Sequence, residues 1–431
     1  MCAWTSAKGR VVLVQRLDKE DRYMLHELRE LAEAAGYEVV GEVVQRRDPD
    51  PRYQIGRGKV GELKKIIDQR NVKKVIFFNF LKPNQVYNLR KELGVEVIDR
   101  FELILEIFAE RAGSKEAKLQ IELAKLKREL SFVREYINLQ KRGELHGYLG
   151  GGERAADAYY EYVVSRIAKI EDELRALRRS KSFRWRRRGE TGIYTIALTG
   201  YTGAGKTTLF SRLTGANGYV DGKPFATLST KTRLTYLEGL PVLVTDTIGF
   251  IDCLPEQLLD AFYTTLGEIT YSDLVLFLVD ASEELDEVRR KIMAGLAVLS
   301  SLGVPKSRIV AVANKADIAG ERLGDAVRLL RALEFPEVVA ISAKTGLNVD
   351  LLRRVIKENL PDRVESWLRV PGAVMGPLLD EASRSCRVAE FSFDGSYFVV
   401  KLEGRRSFIE SLARKYAQRE LNVQTCVRST F

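Results

Sequence analysis

Short apolar runs, each followed by an amphipathic stretch, set the rhythm of residues 10–112. Val11–Val14, Val39–Val44, Val75–Phe78 and Val95–Ile98 read as buried strands. Between them the spacing predicts a helix from Asp18, as its cap, to Ala35, with Gly36 ending it. Further helices are predicted over Val60–Gln69, Pro83–Leu93 and Arg100–Arg111. Alternating strands and helices of this kind make a small parallel α/β domain. Gly56-Arg-Gly-Lys59 resembles half of a phosphate loop, but its spacing is incomplete and no strong strand precedes it, so it reads as a turn starting a helix.

The period changes over residues 114–180. Leu119, Leu123, Leu126, Leu130 and Val133 recur at spacings of four and three, as do Val163, Ile167, Ile170, Leu174 and Leu177. Two such seams predict an antiparallel helical hairpin. Its tip, Gly143 to Gly152, carries His146 and Tyr148 next to Lys141 and Arg142, a composition suited to probing RNA. Lys115, Lys118, Lys125, Lys127, Arg128 and Arg134 on the first helix read as a solvated face. Arg178 to Arg188 contains no acid; its cations suit phosphates and its Phe183 and Trp185 suit base stacking, while a charged linker reads equally well.

Residues 190–361 return to the strand–loop–helix pattern, now with chemistry at each strand end. Ile193–Leu198 leads into Gly200, Tyr201, Thr202, Gly203, Ala204, Gly205, Lys206, Thr207 and Thr208. A glycine-rich turn between strand and helix lets backbone N–H groups surround a phosphate. Lys206 is placed to reach the outer phosphates and Thr207 to ligate Mg²⁺. Val242–Asp246 then ends in Asp246-Thr-Ile-Gly249, with Asp246 expected on the metal through water and the Gly249 N–H on the terminal phosphate. Phe225, Ala226 and Thr227 stand in a polar loop, and Thr227 is the choice for a second metal hydroxyl. Asn314-Lys315-Ala-Asp317 ends another apolar run, and Ser342-Ala343-Lys344 a last one. Asp317 can accept from both the ring N–H and the exocyclic amine of guanine, which adenine cannot offer. Asn314 would brace that pocket, the Lys315 stem would cover the base, and the Ala343 N–H would donate to the guanine carbonyl. Lys206, Gly249 and Thr227 are the expected catalytic set. Phe250 stands where a water-orienting Gln often follows such a glycine, which predicts slow unaided hydrolysis.

Residues 362–431 carry a hairpin signal, Arg387–Phe393 and Tyr397–Leu402 about Asp394-Gly395, then a helix, Ser407–Gln418, and a strand, Val423–Val427. The expected division is therefore 1–113 (α/β), 114–189 (helical hairpin and basic stretch), 190–361 (P-loop GTPase domain, mainly parallel sheet with helices on both faces) and 362–431 (α+β).

Composition narrows the class. Across 431 residues, 45% are hydrophobic and 30% charged, as in globular proteins, and the net charge of +10 favours a polyanionic partner. Cys2, Cys253, Cys386 and Cys426 form no paired motif and are expected as free thiols, and only two histidines are present, so a His/Cys metal centre is not expected. The start, with Lys8 and Arg10 before only Val11–Val14, does not read as a signal peptide, and no apolar run approaches spanning length. A cytoplasmic monomer with no membrane partner is expected.

Several of these stretches together resemble the HflX family of translational GTPases. They are Gly56-Arg-Gly-Lys-Val60, Gly94-Val-Glu-Val-Ile-Asp-Arg100, Ile104-Leu-Glu-Ile-Phe-Ala-Glu-Arg111, Lys118-Leu-Gln-Ile-Glu-Leu-Ala-Lys-Leu126, Phe225-Ala-Thr-Leu and Asp246-Thr-Ile-Gly-Phe250. The resemblance implies a cytoplasmic, Mg²⁺-dependent enzyme converting GTP to GDP and phosphate on the large (50S) ribosomal subunit, in contact with rRNA. It also implies a role in translation, in ribosome splitting or rescue, or in ribosome biogenesis. Two departures are visible: the tip runs directly from Gly150-Gly-Gly-Glu-Arg154 into Ala155, and Thr230 stands where the family has Pro. Two rival readings remain, a GTP-gated scaffold with a non-ribosomal partner and an ATP-driven RNA remodeller using the N-terminal domain.

Overall fold

A computed structural model describes residues 8–19, 22–141, 152–215, 231–247, 249–250, 267–417 and 419–425. The described residues fold as two compact units, one running to Ala176 and the other from Leu177 onward.

The first unit holds β1 (Arg10–Leu17), α1 (Leu25–Ala34), β2 (Glu38–Arg46), α2 (Arg57–Arg70), β3 (Lys74–Phe77), α3 (Pro83–Leu93), β4 (Glu96–Asp99) and α4 (Arg100–Arg111). Its four strands are all parallel, in the order β2-β1-β3-β4. Val12, Val14, Val75, Phe77 and Val97 of the strands pack on Val60, Leu63, Val86 and Leu89 of the helices. The helix placed from Asp18 begins instead at Leu25, with Met24 as N-cap. Asp18 is taken by the Arg16 guanidinium, at 3.1 Å from Nη2 to Oδ2, and so is not a cap.

The hairpin follows as α5 (Lys115–Lys141) and the start of α6 (Gly152–Glu190). Leu119, Leu123, Val133, Val163, Ile170 and Leu174 are buried, so the heptad seams do face inward. Arg128 is a correction to the solvated-face reading. Its guanidinium donates to both oxygens of Asp99, at 2.9 and 2.6 Å, and both side chains are buried. Asp99 also accepts from the Leu81 N–H (3.0 Å) and, as cap of α4, from the Glu102 N–H (3.2 Å). A buried pair needs such extra bonds to offset desolvation. The tip residues 142–151 and the side chains of Arg178 and of residues 180–190 lie outside the described residues, although α6 itself continues through that basic stretch.

The second unit contains β5 (Tyr194–Gly200), α7 (Lys206–Thr214), β6 (Lys231–Leu237), β7 (Leu240–Asp246), β8 (Leu274–Asp280), α8 (Leu285–Ser301), β9 (Ile309–Asn314), α9 (Ala316–Ala319), α10 (Arg322–Ala332), β10 (Glu337–Ala340) and α11 (Val349–Glu358). The strand order is β10-β9-β8-β5-β7-β6, parallel except for the β6–β7 pair. Strands β5, β7, β8, β9 and β10 therefore end at one edge, where an open α/β sheet binds ligands.

The chain then adds β11 (Arg363–Pro371), α12 (Gly372–Ala382), β12 (Arg387–Phe393), β13 (Tyr397–Arg405), α13 (Arg406–Tyr416) and β14 (Arg419–Thr425). The expected hairpin and following helix are present; β11 and α12 had no forecast. The β-α-β-β-α-β module forms an antiparallel sheet, β12-β13-β11-β14. It is tied to the preceding α/β layer by Arg405 to Asp273, just before β8 (2.7 Å), and by Lys357 of α11 to Glu403 (2.8 Å). Among the described residues, no helix is long and apolar enough to cross a membrane.

Candidate nucleotide site

The loop after β5 is shaped by what its glycines must avoid. A Cβ on Gly200 would lie 2.2 Å from the Leu278 carbonyl oxygen of the neighbouring strand. One on Gly205 would lie 2.3 Å from Asn314 Nδ2, and Gly205 has φ +91 as the N-cap of α7. Gly203 is also left-handed, at φ +80. Only glycine adopts such conformations at low cost. The loop thus curls over the start of α7, where the first-turn N–H groups have no carbonyl partner within the helix and the positive dipole end favours an anion.

Lys206 lies inside that curl and is buried. Its Nζ donates to the carbonyls of Gly200 (3.1 Å) and Tyr201 (2.8 Å). Burial pushes the ammonium down to about 8, with Asp246 opposing. Next to it Thr207 Oγ1 donates to Asp246 Oδ2 at 2.9 Å. A hydroxyl and a buried carboxylate at the end of β7 form a hard oxygen donor pair, the set that suits Mg²⁺. Gly249 closes this corner: a Cβ there would lie 2.8 Å from Lys206 Nζ and 3.0 Å from Thr202 Cα. The space beside the ammonium is therefore kept clear by a missing side chain.

Phe250 is stitched to the loop by its backbone. Its N–H donates to the Gly200 carbonyl and its carbonyl accepts from the Thr202 N–H, each at 2.9 Å. The ring is buried, within 3.3 Å of where a Cβ on Gly295 of α8 would stand. An aromatic side chain here packs inward, which explains why an apolar residue suits the position.

At the ends of β9 and β10, Asn314 acts as a strut. Its Nδ2 donates to the Ala204 carbonyl (2.7 Å) and its Oδ1 accepts from the Ala343 N–H (2.9 Å). The brace expected of Asn314 is thus present. The N–H of Ala343, expected to serve a base carbonyl, is already engaged by that strut and would have to be shared. Arg212 of α7 clamps the same loop, with Nε donating to the Ala343 carbonyl (3.3 Å) and Nη2 to that of Lys344 (2.5 Å). Ser342 is buried, Lys344 is exposed, and Ser342 Oγ accepts from the Thr345 N–H at 3.1 Å. Asp317 is exposed in the first turn of α9, and Lys315 precedes it at φ +64. Thr208 is half-buried behind Thr207. Phe225, Ala226 and Thr227 lie outside the described residues.

Sequence reasoning passed over Asp280, which ends β8 and pairs with Lys315 at 2.5 Å. Its signal was available, since Leu274–Asp280 is another apolar run closing on a carboxylate. It also passed over the cations around Tyr201, whose ring has Lys291 Nζ at 4.8 Å and the Arg290 guanidinium at 5.7 Å.

Comparison with known proteins agrees with this arrangement. Three family models match consecutive stretches: "GTP-binding GTPase N-terminal" over residues 22–109, "GTP-binding GTPase Middle Region" over 111–188 and "50S ribosome-binding GTPase" over 195–315. A GTPase HflX of Thermofilum pendens is 56% identical over 414 residues, covering 94% of this chain and 97% of its own. One of Thermococcus kodakarensis is 41% identical over 357 residues, covering 80% and 81%. The crystal structure of SsGBP in complex with GDP superposes with a TM-score of 0.51 at 29% identity, covering 80% of this chain and 97% of that one. A glycine cradle, a buried lysine and an N-K-x-D loop at one sheet edge, in a chain this similar over its length, bind and hydrolyse GTP: this protein belongs to the HflX family of GTPases.

Proposed function

We propose that this GTPase is a Mg²⁺-dependent switch that works on the large ribosomal subunit. Phe250 carries the partner-dependence. Its ring is packed against α8, so the position after Gly249 presents no polar group to align an attacking water. Phosphoryl transfer depends on positioning and charge neutralisation. Lys206, the N–H groups of residues 203–208 and the Gly249 N–H would supply these from one side. Thr207 and Asp246 would hold Mg²⁺, with Thr227 as the second hydroxyl; the ion would supply positive charge against the phosphates. Asp317 would read the ring N–H and exocyclic amine of guanine, and Lys315 would cover its face.

The name of the matching family model, 50S ribosome-binding GTPase, supports the partner, as does the net charge of +10. A polyanion of rRNA complements that excess. Two measurements test the reading. Phosphate release by the purified chain should be slow alone and rise on adding large subunits; fast turnover alone, or no response, would contradict it. The chain should also sediment with large subunits with a non-hydrolysable GTP analogue and less with GDP.

A further inference from the structure

Asp280 ends β8 directly opposite Asn314 on β9. Its carboxylate is only 10% exposed. One oxygen, Oδ1, accepts from the Ser282 N–H (3.0 Å) and Ser282 Oγ (2.6 Å). The other, Oδ2, meets Lys315 Nζ at 2.5 Å. Two donors from the strand-end turn fix the carboxylate, so it offers the ammonium one direction.

Lys315 has a fixed backbone and a loose side chain. Its carbonyl accepts from the Ile318 and Ala319 N–H groups, and the next residue, Ala316, donates to Ile341. The side chain remains 33% exposed, and a lysine stem without an anchor samples many rotamers. The tip contact with Asp280 is therefore what gives the stem a single course. Nearby cations are held elsewhere: Lys291 by Glu283 at 2.6 and 2.8 Å, and Arg322 by the Ser282 carbonyl at 2.8 Å and by Glu284. Burial raises the Glu283 carboxyl, and Glu283 and Asp280 line the same small cavity behind Tyr201 and Thr202.

We propose that Asp280 is a positioning residue for base recognition, anchoring the Lys315 ammonium so that its methylene stem stands as a wall of the purine pocket. This deepens the reading of residues 314–317 as the guanine pocket and rests on it. The pair is partly exposed, so its contribution to folding is small and its signature belongs in ligand affinity.

The test is titration of the full chain with GDP and with IDP, which lacks the exocyclic amine. Asp280→Asn keeps the shape of the side chain and its Ser282 bonds but removes the charge. It should weaken both nucleotides alike, by about fivefold, because a stem over the ring face does not sense the amine. In a Lys315→Ala background the same substitution should cost nothing further. Asp280→Glu, which keeps the charge, should recover part of the loss. Unchanged or tighter binding by Asp280→Asn, or a full cost retained without Lys315, would overturn the proposal. Asp317→Ala serves as the separate arm: it should erase the preference for GDP over IDP. If it does not, the pocket reading itself fails and takes this inference with it; if it does, a null result at Asp280 counts against Asp280 alone.

Discussion

The two parallel sheets of this chain start from similar sequence and end with opposite chemistry at their carboxyl edges. In the N-terminal sheet the polar groups at the strand ends draw their partners from within the same unit. Asp99 takes Arg128, Leu81 and Glu102; Gly56 donates to Gln45 Oε1 at 2.7 Å; Lys59 pairs with Glu62 at 2.7 Å. Gly56 has an ordinary extended backbone, φ −68, and the flexible tip of Arg47 fills the space beside it. In the second sheet three loop glycines take positive-φ conformations that other residues adopt only at a cost, and the buried lysine donates to loop carbonyls. A G-x-G-K spelling is thus not what makes a phosphate site. Left-handed glycines that turn the backbone over a helix start, with a desolvated cation inside, are what make one.

The largest effect should separate the two lysines. Lys206→Ala removes the cation from the cradle and should cut GTP turnover by about 10²–10³-fold, the loss typical of one transition-state donor. Lys59→Ala, at an exposed pair, should leave turnover within about twofold. Phosphate-release kinetics compare them directly.

The glycines come next. Gly205→Ala forces a left-handed alanine against Asn314 and should weaken GDP binding by about tenfold or more. Gly56→Ala meets the side-chain tips of Arg47 and, at 3.2 Å, Gln45, both able to give way, and GDP affinity should stay within about twofold. Equal effects at the two glycines would erase the distinction.

The smallest effect is a pH dependence. In the folded protein the Lys206 ammonium sits near 8, below its ordinary 10.5. A phosphate at Nζ would favour the charged form, so nucleotide binding should take up a proton near that pH. Affinity should be full below about pH 8 and fall by up to about tenfold per unit above it. Lys206→Ala should flatten the curve between pH 7 and 9.

Much of this was legible because it rests on local rules. The P-loop, Asp246 and Asn314 each follow an apolar strand, and the backbone demands of a phosphate cradle show in the glycines. Helices Pro83–Leu93 and Arg100–Arg111 lie where their caps and periods placed them. What escaped was decided by partners distant in sequence or by a competing neighbour. Asp18 looked like a helix cap but is taken by Arg16. Arg128 looked like one more surface cation, until Asp99 and the rings of Phe80 and Phe101 surrounded it. Asp280 closes an apolar run as the other site carboxylates do, but its partner Lys315 lies just past the end of the neighbouring strand, and only the fold brings the two together. Strand β11 alternates half-buried and buried positions, but that pattern became decisive only once β13 and β14 paired on its two sides.

The central claim is that the carboxylate at Asp317 chooses the base. Titration of the wild-type chain and of Asp317→Asn with GDP and XDP tests it most directly. An amide can still accept from the ring N–H, and it can donate to the xanthine oxygen that replaces the guanine amine. The account predicts that the wild type prefers GDP and the variant prefers XDP; a variant that keeps the wild-type preference would contradict it.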